Sequence, residues 1–107
     1  MSKQICLEYD EKEYTLEFTR NSVKKMESRG FVFGEIETKP VTRIPELFAG
    51  AFLAHHNGVD RETIDKIYGA IEGKDSLIGA LVEMYADTIN TLMEKPEKNG
   101  ISWVKSW

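Results

Sequence analysis

Residues 42–58 read TRIPELFAGAFLAHHNG, and between Arg43 and Arg61 the only formal charges are Glu46 and Asp60. In a helix, Ile44, Leu47, Phe48, Ala51, Phe52 and His55 fall at i, i+3, i+4, i+7, i+8 and i+11, one continuous face. The remaining faces carry Ala49, Gly50, Leu53 and Ala54, which are uncharged as well. Thr42 opens the segment, Pro45 sits in its first turn and Asn57-Gly58 ends it, so the spacing predicts a helix over 43–56. A helix apolar nearly all round has to be covered by its own domain or by a partner. The histidine pair at its end adds a third reading, a metal or catalytic site.

The rest of the chain must supply the cover. At 107 residues, with no Gly/Ser-rich or Pro-rich linker, the sequence fits one domain, predicted over 1–94, followed by a tail over 95–107. In the first twenty residues Ile5, Leu7 and Tyr9 alternate with Cys6 and Glu8, and Tyr14, Leu16 and Phe18 repeat the pattern. That period of two predicts an antiparallel hairpin over 4–18, with Asp10–Glu13 as a polar connection. Asn21 or Ser22 can cap a short helix over 21–29 that turns Val23 and Met26 inward, and Gly30 stops it. Phe31, Val32 and Phe33 then read as an irregular connection pinned by its aromatics.

Asp60 caps a predicted helix over 61–72 with Ile64, Ile67, Tyr68 and Ile71 on one side, closed by Gly73. Asp75 or Ser76 starts the longest helix, 76–94. Its inner stripe is Leu77, Ile78, Leu81, Val82, Tyr85, Ile89, Leu92 and Met93, and its acidic back, including Glu83 and Asp87, reads as a solvated face. Pro96 ends it, and the tail holds both tryptophans, Trp103 and Trp107, which should dock on something. The predicted fold class is therefore α+β: an N-terminal antiparallel β-hairpin packed on about four helices, with an extended C-terminal tail.

Little in the sequence asks for chemistry. Adjacent histidines on a helix point about 100° apart, so His55 and His56 do not converge on one metal as an i, i+4 pair does. They read as a helix end, with His55 packed inward and His56 near the carbonyl end of the dipole. GAIEGKDS, residues 69–76, has three residues between its glycines and an aspartate after the lysine, so it is a turn between helices and not a phosphate loop. Gly30 and Gly34 are too few and badly spaced for a dinucleotide fingerprint. Cys6, the single cysteine, sits in a predicted strand with no neighbouring base and reads as a packed or edge thiol. No catalytic residue, metal ligand or cofactor is therefore expected.

Bulk properties narrow the partners. The net charge is -4 with basic residues scattered among acids, which gives counterion release little to act on and argues against nucleic acid. No stretch approaches the roughly 18 apolar residues of a membrane span, and MSKQICLEYD has no apolar run after its lysine, so no membrane association is expected and the protein should stay where it is made.

The phrases EYTLEFTRNSVKKMESRGF, KPVTRIPELFAGAFLAHH, IDKIYGAI and LIGALVEMYADTI lie within residues 13–93. In their order and spacing they resemble the tail assembly chaperones of long-tailed bacteriophages and prophages, particularly those of low-GC Gram-positive hosts. The resemblance implies a non-enzymatic chaperone in the host bacterial cytoplasm that keeps the long tape measure protein soluble and helps the tail tube polymerise around it. It also implies a tendency to form homo-oligomers, and a longer frameshifted form that recruits the tail tube protein, of which this chain would be the short version. The tail with Trp103 and Trp107 lies outside the resembling phrases.

A partner for an apolar helical client needs exposed apolar anchors together with net charge. The candidate protein-binding residues are Phe48, Phe52 and Leu53, Tyr85, and Trp103 and Trp107, because aromatic anchors dominate interface energy. Phe48, Phe52 and Tyr85 read first as core, since a helical apolar stripe usually packs within its own domain, whereas Leu53 lies off the stripe and is the better surface candidate. Two alternatives stand beside the chaperone: a small helical regulatory or DNA-associated protein, which needs a basic face, and a metal-dependent enzyme using His55 or His56.

Overall fold

The computed structural model describes residues 3–91 and 100–107. The chain is an α+β fold in which an N-terminal antiparallel hairpin is followed by four helices. Strand β1 spans Ile5–Tyr9 and β2 spans Lys12–Leu16. The register pairs Ile5 with Leu16, Leu7 with Tyr14 and Tyr9 with Lys12. Lys12 and Glu13, predicted as connection, belong to the strand, and the turn is only Asp10 and Glu11, both with positive φ (53° and 66°). A two-residue turn of this hand matches the right-handed twist of the strands, which is what shortens the loop.

Helix α1 (Arg20–Ser28) is capped by Thr19, ahead of the predicted Asn21 or Ser22. Thr19 Oγ1 accepts from the Ser22 amide at 3.0 Å while Ser22 Oγ accepts from the Thr19 amide at 2.9 Å, a reciprocal pair that neither Asn21 nor Ser22 alone could make. A 3-10 turn at Phe33–Glu35 leads to α2 (Pro40–Gly50), whose first residue is Pro40 and whose interior contains Pro45. The amide that Pro45 lacks would have bonded the carbonyl of Val41, a residue 88% exposed in the first turn of the helix.

The predicted helix over 43–56 therefore starts earlier, and it stops at Gly50. Past that point the amides of Phe52 and Leu53 reach back only three residues, to the carbonyls of Ala49 and Gly50, so the last turn tightens. The Ala51 carbonyl instead accepts from the Glu17 amide at 3.0 Å, and Nε2 of His56 accepts from the Thr15 amide at 3.0 Å. The chain after α2 thus leaves helical geometry to serve as the partner of β2's outer edge.

Helix α3 (Arg61–Ala70) has the predicted cap, Asp60, which accepts from the Thr63 amide at 3.1 Å. Of residues 69–76, predicted as a turn, only Ile71, Glu72 and Gly73 lie between the helices: Gly73 has φ 68°, and Nζ of Lys74 donates to the Ile71 carbonyl at 3.0 Å. Helix α4 (Lys74–Asn90) follows Gly73 directly, so neither Asp75 nor Ser76 caps it. Its buried residues are Leu81, Met84 and Tyr85, while Ile89 is exposed. The face is rotated toward Met84 because Thr88 Oγ1 donates to the Phe18 carbonyl at 3.0 Å. Leu92 and Met93 of the predicted stripe, the end of the predicted helix over 76–94 and the start of the tail at 95 lie outside the described residues.

The core holds two linked aromatic groups. Tyr85 meets Phe18 and Phe31 edge-on at 5.3 and 5.5 Å and stacks on Phe33 at 4.5 Å. Phe52 packs against Phe48 and Tyr14 at 5.2 and 5.6 Å, and Phe48 continues to Tyr68. Leu16, Leu47, Ile67 and Leu81 fill the space between.

Three outcomes test this packing. His56→Ala removes the acceptor for the Thr15 amide and should cost about 1–3 kcal/mol in denaturant titration. A Cβ at Gly50 would overlap the buried Met26 side chain, so Gly50→Leu should destabilise by roughly 1–3 kcal/mol or more despite better helix propensity. The Tyr85 hydroxyl is buried with no hydrogen-bond partner among the described residues, so Tyr85→Phe should leave the midpoint at neutral pH unchanged or higher. Burial, with Glu27 adding a smaller effect, pushes that hydroxyl from 10 up to about 12. The unfolded chain therefore releases this proton at lower pH than the folded one, and stability should fall between pH 10 and 12. Tyr85→Phe should flatten that alkaline limb in pH-dependent melts.

Candidate functional site

The two histidines are occupied with structure. His56 packs edge-on against Tyr14 at 5.2 Å while holding the Thr15 amide, so it is the inward member of the pair. His55 is the more exposed one, and its Nε2 lies 2.6 Å from Oε1 of Glu17. The predicted inward and outward placement is thus reversed, and neither histidine sits at the carbonyl end of the helix, because α2 ends at Gly50 and β2 takes hold of His56. Glu17 is buried, and its carboxylate also accepts from Nε2 of Gln4 at 3.1 Å. The two imidazole centroids are 6.3 Å apart at 59°, and among the described residues no three His, Cys, Asp or Glu side chains are grouped to hold a metal ion. Cys6 is an exposed thiol on β1.

The acidic back of α4 is engaged at one end. Nζ of Lys3 bridges Glu83 at 3.0 Å and Asp87 at 2.9 Å, and both carboxylates raise the lysine above its ordinary value, Asp87 most. Arg43 is clasped by Glu35 and Glu46, each at 2.7 Å, and its hydrogen bond holds the Glu35 carboxyl below the usual range. These ion pairs place Lys3 and Arg43 among acids of α4, α2 and the 3-10 turn.

The six candidate contact residues separate into three kinds. Phe48, Phe52 and Tyr85 are sealed in the core at 1%, 1% and 0% exposure, so their packing role holds and they drop out of the contact set. The reason is tertiary: Phe52 meets Tyr14 of β2, Phe48 lies between Phe52 and Tyr68 of α3, and three phenylalanines enclose Tyr85. Leu53 is half-buried and lines a groove of about 120 Å³ with Met26, Phe31, Ala49 and Gly50, rimmed by Arg29, Glu46 and Arg61. A recess of that size takes one or two apolar side chains and is too small for a cofactor, whose sites run from about 300 Å³. Ala49 and Leu53 therefore meet this groove, and Gly50 is covered by Met26.

Trp103 and Trp107 are 80% and 92% exposed and do not pack on their own domain. Sequence reasoning passed over their neighbours Ile101 and Val104, which are 91% and 86% exposed. Together the four make residues 101–107 the main concentration of exposed large apolar side chains among the described residues. The signal was the composition of the segment itself, ISWVKSW, with one charge, Lys105. Nζ of that lysine lies 4.5 Å above the Trp107 ring.

Among the described residues no helix is long and apolar enough to cross a membrane. No curated protein and no solved structure matches the chain. Residues 1–107 do match a family model described as a domain of unknown function, DUF5055, so the chain belongs to the DUF5055 family.

Proposed function

We propose that this protein is a non-enzymatic chaperone of phage tail assembly, working in the host bacterial cytoplasm. It would bind and solubilise the long helical tape measure protein and assist tail tube polymerisation, with an extended form recruiting the tube protein. The observation that carries the reading is the exposed group Ile101, Trp103, Val104 and Trp107 on a chain of net charge -4. Apolar anchors grip an apolar helix, and the excess of acid keeps the complex in solution. The Leu53 groove offers a second, smaller foothold, sized for a side chain of such a helix. The sequence resemblance over residues 13–93 supplies the identity of the client, which the surface chemistry alone does not name.

Co-expression with a tape measure protein from the same phage genome tests this directly. The client should move into the soluble fraction and co-elute with this chain in gel filtration. Trp103→Ser combined with Trp107→Ser should cut the recovered complex severalfold while leaving the circular-dichroism melt of the chaperone unchanged. A client equally insoluble with and without the protein would remove the proposal.

A further inference from the structure

The hairpin has two outer edges, and they are treated differently. With a two-residue turn, Tyr9 faces Lys12 in a hydrogen-bonded pair, so the N–H and C=O groups of Cys6, Glu8, Glu13 and Thr15 point away from the hairpin. On the β2 side the Thr15 amide is held by His56 and the next outward amide, Glu17, by the Ala51 carbonyl. On the β1 side nothing among the described residues pairs with the outward groups of Cys6 and Glu8. An unpaired strand edge is a template for another strand.

The ground beside that edge is prepared for one. A groove of about 340 Å³ runs along it, floored by Leu7, Tyr9, Ile67, Ala70 and Ile71 and bordered by Glu72. The exposed segment has the matching pattern. In strand register Ile101, Trp103, Lys105 and Trp107 share one face, and Ser102, Val104 and Ser106 share the other. Its one charge, Lys105, is basic, whereas the hairpin from Glu8 to Glu13 carries four acids and one lysine.

We infer that the open edge of β1 receives residues 101–107 of a second copy of this chain as a third strand. The tryptophan face lies over the groove beside α3, with Lys105 on the side of Glu72, and Ser102, Val104 and Ser106 fall on the side of Cys6 and Glu8. A second copy is the occupant because the chain's own segment stands exposed and off its domain. Reciprocal exchange closes a two-fold dimer, which fills the β1 edge of both copies at once. The proposal concerns the purified chain alone and does not rest on the identity of any client.

The only two tryptophans of the chain both lie in this segment, so intrinsic fluorescence reports its burial without a label. As concentration rises, emission should shift to shorter wavelength and iodide quenching should fall severalfold, in step with a monomer-to-dimer change in sedimentation. Glu8→Pro removes an outward amide that the hairpin does not use and should abolish both changes. In a second measurement, Ser102→Cys or Ser106→Cys should form a reducible cross-chain disulfide with Cys6, and Lys105→Cys, on the opposite face, should not. Tryptophans exposed at every concentration overturn the inference. So does concentration-independent protection with an internal disulfide in a monomer, which would make the chain's own segment the occupant.

Discussion

The contact between residues 51–56 and the outer edge of β2 is the constraint on which the rest of the fold depends. A two-stranded hairpin is marginal in water by itself. Here the Ala51 carbonyl and the His56 ring take the amides of Glu17 and Thr15, which fixes the hairpin against the end of α2. The same contact drops Phe52 onto Tyr14 and buries Leu16 and Leu47 fully. Two polar bonds thus set the register in which the apolar surfaces meet. Non-directional burial could not choose that register alone.

Helix α4 is held by a second set of directional contacts. Arg20 donates to the hydroxyl and carbonyl of Thr91 at 3.1 and 2.6 Å, Thr88 donates to the Phe18 carbonyl, and Lys3 bridges Glu83 and Asp87. The arginine and lysine contacts are exposed, where ion pairs contribute little net stability. Their effect is on rotation: they aim Met84 and Tyr85 at the core and leave Ile89 outside. The stacked and edge-on rings around Tyr85 then exclude water from its hydroxyl.

Much of the architecture was legible because periodicity and capping chemistry are local. Asp60, the turn at Gly73 and the alternation of both strands all appear where their spacing placed them. What was not legible depended on contacts far apart in sequence. Thr88 lies 70 residues from Phe18, and His56 lies 41 from Thr15, so neither the rotation of α4 nor the early end of α2 could be read from a window along the chain. Phe48, Phe52 and Tyr85 stood among the candidate contacts for the same reason. An apolar aromatic at helical spacing looks identical whether a partner or its own hairpin covers it. Leu53 stood out because it departs from the stripe, and the tryptophans because they lie beyond the helical pattern.

The exposed segment also has energetics that suit reversible use. Burying two tryptophans removes roughly 400 Å² from water, worth about 10 kcal/mol at about 25 cal/mol per Å². Ordering the seven residues 101–107 costs about 1.5 kcal/mol each, again near 10 kcal/mol. These terms nearly cancel, so apolar burial does not by itself hold the segment on any surface. The surplus must come from backbone hydrogen bonds or from a deeper apolar partner. The proposed pairing with an open strand edge would supply the first, and the proposed helical client the second. A segment poised at this balance can leave one for the other, whereas a more apolar one would aggregate and a less apolar one would grip neither.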